Sequence, residues 1–108
     1  ILQKGFYTMT TPNNNGYEHP FDIRYKGLKL IPSKSAMSEM NYLGLMLYDC
    51  KIMLEEGYAA PRKRAEDCEE KWFNKRNKTF NIVIVKSFNY FYNEEVYLIT
   101  HVGCFGIK

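Results

Sequence analysis

Two spacings of apolar residues divide this chain. From Leu43 to Leu54, the apolar positions Leu43, Met46, Leu47, Cys50, Met53 and Leu54 recur every three or four residues, the repeat of a helix with one buried stripe. Asp49, Lys51, Glu55 and Glu56 fall on its wet face, and Gly57 follows where a left-handed C-terminal cap forms most easily. Ahead of it, Pro32 and a serine, Ser33 or Ser35, signal a helix start, so SAMSEM is predicted as a shorter helix with Glu39 in its first turns. Elsewhere the period is two. IRYKGLKLI, from Ile23 to Ile31, predicts strand structure with Ile23, Tyr25, Leu28, Leu30 and Ile31 buried and a bulge or tight turn at Lys26-Gly27. KWFNKRNKTFNIVIVKS predicts two antiparallel strands turning at Lys75 to Lys78, with Phe80 to Val85 apolar on both faces, as in mid-sheet. VYLITHV is the last strand. Val96, Leu98, Thr100 and Val102 point one way; Tyr97, Ile99 and His101 point the other.

The expected fold is therefore α+β, with two helices packed on one face of a mainly antiparallel sheet of about four strands and the second face free. At 108 residues the chain suits a single domain, and 45% hydrophobic with 16% aromatic residues supplies its core. That domain is placed at 21–108, after a flexible lead-in over 1–20 in which TTPNNNGYEHP shows no periodicity. Met9 is as good a natural start as Ile1, which leaves ILQKGFYT as an upstream extension. The longest apolar runs fall short of the roughly 20 residues of a membrane-spanning helix. No succession of basic, apolar and small residues opens the sequence, so no signal peptide is expected; Cys50, Cys68 and Cys104 form no CxxC pair, so reduced thiols in the cytoplasm and no membrane association are expected, a single bridge between two of the three being the alternative.

The net charge of +3 does not by itself imply nucleic acid, but seven basic and four acidic residues between Arg62 and Lys78 gather an equal excess into one segment. Arg62, Lys63 and Arg64 form a basic loop triplet suited to a phosphate backbone or an acidic partner, although Glu66, Asp67, Glu69 and Glu70 stand close enough to neutralise it. Lys71, Arg76 and Lys78, interleaved with Trp72 and Phe73, combine cations with rings that stack on unpaired bases. Alternation puts Trp72 on the face opposite Lys71 and Phe73, so these residues do not all act together. In SFNYFYNEE, Tyr90 and Tyr92 with Phe88 and Phe91 either close the core or form an exposed interaction patch, for bases or for a second copy in a homodimer. His101 is the one candidate catalytic residue, although packing near the chain end is its plainer role. No cofactor or metal is expected: the acidic run lacks calcium-loop spacing.

From Tyr25 onward, YKGLKLIPSKSAM, DCKIMLEEGY, NIVIVKSFNY and EVYLITHVG resemble a small archaeal and bacterial family placed near RelE-like and barnase-like ribonuclease toxins. The resemblance spans about four fifths of the chain and rests on diffuse motifs. It implies a RelE-like sheet, RNA as ligand and an antitoxin-like protein as partner. That family usually carries a histidine at the start of the first helix and an arginine four residues later; here those places hold Ser35 and Glu39. The resemblance thus favours RNA or partner binding over catalysis. An active ribonuclease would have to use His101 with Lys71 and Arg76 instead.

Overall fold

The computed structural model describes residues 22–62 and 64–106. The expected lead-in over 1–20, and Lys63, lie outside the described residues. A tight hairpin opens the fold: strand β1, Arg24–Tyr25, turns back into β2, Leu28–Pro32, through Lys26 and Gly27, both at positive φ (52° and 84°). Helix α1, Lys34–Leu43, starts on Ser33, whose Oγ accepts from the Ala36 N–H at 3.1 Å. It ends at Gly44, left-handed at φ 73°, so the break between the helices comes later than the sequence suggested. Helix α2, Leu47–Glu56, follows directly, with the Asp49 carboxylate accepting from the Met46 N–H at 2.7 Å. Met46 precedes this first turn and is 72% exposed, which removes it from the expected stripe.

The remaining strands are β3 (Tyr58–Ala59), β4 (Cys68–Lys75), β5 (Lys78–Asn89) and β6 (Glu94–Gly106). Six strands form one sheet in the order β1-β2-β6-β5-β4-β3, where about four were expected. Every neighbouring pair is antiparallel except β2 with β6, which run parallel. The α+β class and the two helices stand. The extra strands are the two-residue edges β1 and β3, too short to show a period, and β4 begins at Cys68, inside the stretch read as loop.

One face of the sheet carries the core: Leu30, Ile82, Ile84, Ile99 and Val102 pack with Ala36, Met40, Cys50, Met53 and Leu54 of the helices. Full burial of each large aliphatic side chain contributes roughly 1.5–3 kcal/mol. Leu28 and Ile31, expected inside, are only partly buried. Alternation along β6 breaks at Thr100, the extra residue between the pairs Ile84↔Ile99 and Val83↔His101. Its hydroxyl donates to the Val83 carbonyl at 3.4 Å. This bulge breaks the single alternation expected for the strand: of the set Val96, Leu98, Thr100 and Val102 expected to face the core, Val96 and Leu98 lie on the second face. Val102 joins Ile99 in the core, and His101 shares the second face with Val96 and Leu98.

Candidate functional site on the second sheet face

Side chains of β4 settle which residues face away from the helices. Lys71 donates its ammonium to the Leu54 carbonyl of α2 at 3.1 Å and Phe73 packs on the core, so Glu70, Trp72 and Asn74 project from the second face. Register then sets two rows across three strands: Glu70, Val83 and His101 in one, Trp72, Asn81 and Gly103 in the next. At the centre, the Glu70 carboxylate is almost wholly buried and takes five hydrogen bonds. Arg62 donates Nε to Oε1 at 3.1 Å and its NH2 nitrogen to Oε2 at 2.9 Å; Arg64 donates Nε to Oε1 at 2.9 Å. Trp72 Nε1 and Asn81 Nδ2 donate to Oε2 at 2.9 and 3.1 Å. The Arg62 bonds, seconded by those from Trp72, Arg64 and Asn81, outweigh desolvation and hold this acid well below the usual carboxylate range. Two guanidinium groups against one carboxylate leave the cluster net positive, with both arginines partly exposed.

Rings flank the cluster. Trp72 lies edge-on to Phe105 (centroids 5.0 Å apart) and to Tyr58 (6.4 Å), and the Arg62 guanidinium stands 5.7 Å from the Trp72 ring centre. Tyr58 and Phe105 are exposed, with Trp72 as the pillar between them. On the other side of the face, His101 Nδ1 meets Glu39 Oε2 at 3.1 Å, while Glu39 Oε1 accepts from the Val102 N–H at 2.9 Å. Beyond Ile99, β6 has no β2 residue beside it, and Glu39 of α1 supplies an acceptor at that edge. Glu39 thus orients the one candidate imidazole.

The structure separates several residues that the sequence grouped. Lys71 lies on the helix face and His101 on the other, and Arg76 sits in the exposed turn between β4 and β5. His101, Lys71 and Arg76 therefore do not converge on one phosphate. Lys78 is exposed at the same turn, whereas Tyr90 and Tyr92 occupy the turn at the far end of β5, a dozen residues away. There Tyr90 and Phe91 are 86% and 87% exposed, Phe88 stacks edge-on to Tyr90, and Lys29 lies over the Tyr92 ring. These rings form an exposed patch and do not close the core. Arg62, Arg64 and Trp72 do come together, through Glu70.

Asn81, Glu70, Glu39, Tyr58 and Phe105 were not foreseen as site residues. For two of them a signal was present: Glu70, Trp72 and Asn74 alternate on β4, and polar Asn81 interrupts the stretch expected to be apolar on both faces. Burial pushes the Cys50 thiol up to about 12, which makes it a packing group, and Cys68 and Cys104 are free thiols. Among the described residues no group of three histidine, cysteine or acidic side chains is placed to hold a metal, and no helix is long and apolar enough to cross a membrane. In comparisons with known proteins, no family model, no curated protein and no solved structure matches this chain.

Proposed function

We propose that the chain binds single-stranded RNA on the second face of its sheet. The observation that carries this reading is the row Tyr58, Trp72 and Phe105 lying beside the Arg62–Arg64 pair: rings to stack on bases next to cations for phosphates. The resemblance to RelE-like toxins supports the same ligand. Trp72 is the chain's one tryptophan, so its fluorescence reports on the site directly. Titration with a single-stranded oligonucleotide should shift that emission, and two or three phosphate contacts should cost roughly seven- to twentyfold in affinity between 50 and 200 mM salt. Binding indifferent to salt, or unchanged emission, would count against the proposal. A chain that ignores RNA but scatters light as a dimer would replace it with a protein-interaction module acting through the Phe88–Tyr92 rings.

RNA cleavage is a second reading, favoured by one observation: Glu39 holds His101 by Nδ1 and leaves Nε2 on the same face as the arginines. An imidazole so oriented can accept the proton of a ribose 2′-hydroxyl. His101→Ala should then abolish cleavage, and unchanged cleavage removes this reading.

A further inference from the structure

Gly103 marks a point where two unused acceptors meet. A methyl group on it would lie 2.5 Å from Asn81 Oδ1 and 3.0 Å from His101 Nε2, so both atoms converge on the space its missing side chain leaves. Asn81 is 3% exposed, and its Nδ2 is committed to the Glu70 carboxylate, which fixes the amide with its oxygen towards Gly103. That oxygen accepts no hydrogen bond from any described residue. A buried acceptor without a partner is costly, and it points to a donor that arrives from outside. His101 is held the same way: in the neutral imidazole the acidic partner at Nδ1 favours the tautomer that donates there, and that tautomer carries a lone pair on Nε2.

This face thus offers two acceptors beside the paired arginines, bordered on the same strand by the Phe105 ring, two positions along from Gly103. The phosphodiester of an RNA backbone has no donor to give them. A flat group carrying an amino nitrogen does, since its two hydrogens can go one to each acceptor while its ring lies against Phe105. Resting on the RNA-binding reading above, we infer that Asn81 and His101 form a base-reading subsite that selects a nucleobase with an exocyclic amino group. Cytosine and uracil provide the sharpest contrast: their rings match, but the amino group of one is replaced in the other by a carbonyl, which would face both acceptors.

Fluorescence anisotropy with labelled oligocytidine and oligouridine of equal length, at one salt concentration, tests the subsite apart from phosphate binding. Oligocytidine should bind at least roughly fivefold more tightly. His101→Phe, which keeps a ring but removes Nε2, should bind both oligomers and lose that preference. Equal affinity of the native chain for the two oligomers overturns the subsite and leaves RNA binding in place. A preference that survives in His101→Phe also overturns it. Failure to bind either oligomer overturns the RNA reading beneath it. Should His101→Phe not fold, the comparison on the native chain still decides.

Discussion

Gly57 and Gly103 show how one residue type does two different jobs. Neither needs a left-handed backbone; each is glycine because something comes too close for a side chain. At Gly57 a methyl would meet two main-chain oxygens, Met53 O at 2.5 Å and Trp72 O at 2.6 Å, where the end of α2 passes β4. Backbone cannot step aside, so Gly57→Ala should destabilise the fold by about 1–3 kcal/mol, as overpacking does, read as a lower urea midpoint. At Gly103 the obstructing atoms are the ends of two side chains, so alanine there should cost less stability while displacing Asn81 and His101. The sequence places a helix end at Gly57 correctly but for another reason: its φ is −78°, and the left-handed cap belongs to Gly44. Contacts of this kind depend on elements that meet far apart in sequence, and no local pattern encodes them.

At the scale of elements, the periodicities that carry apolar residues were legible and the interruptions were not. The Leu43–Leu54 repeat yields α2 and its buried Cys50, Met53 and Leu54, yet the same apolar run hides the break after Leu43, because Leu45 and Leu47 still pack on the core across it. A helix needs a residue that tolerates positive φ to end this way, and Gly44 has open space around its missing side chain. Gly44→Ala should therefore cost about 1 kcal/mol through backbone strain alone, and a thermal unfolding scan that shows no loss would contradict that assignment. The bulge at Thr100 is a second interruption. Alternation read through it groups Val102 with Val96 and Leu98, which the structure places on the opposite face, and only the register with β5 reveals the extra residue. The site was partly legible for the same reason. Arg62, Arg64 and Trp72 stand out by type and Glu70 is among four acids near enough to neutralise the arginines, but which of the four gathers them depends on a strand that starts at Cys68, inside the stretch read as loop.

Across the whole molecule, charge is arranged so that acid should loosen the fold in a definite order. Arg62, Trp72, Arg64 and Asn81 all donate to Glu70, and Lys29 and Arg24 draw Asp22 down in the same way at the β1–β2 hairpin. A carboxylate whose folded pKa lies below its unfolded value near 4.3 stabilises the native state fully above that value, and the contribution fades as pH falls towards the folded pKa. The urea midpoint should accordingly drop from about pH 5 downward, with Glu70 responsible for most of the fall because it is the buried member. Glu70→Gln separates this from general acid effects. It removes the charge that both arginines share, and since their guanidinium groups reach water, the loss at neutral pH should be about 2 kcal/mol, below the 3–5 of a pair stranded in the interior. As pH falls, the variant should lose stability less steeply than the native chain, so that the two converge in strong acid. Parallel curves would mean that Glu70 is not the group that titrates. Because the same carboxylate pins the loop bearing Arg62 and Arg64 onto β4, the variant should also weaken the salt-dependent part of oligonucleotide binding, joining the stability of this face to its proposed use.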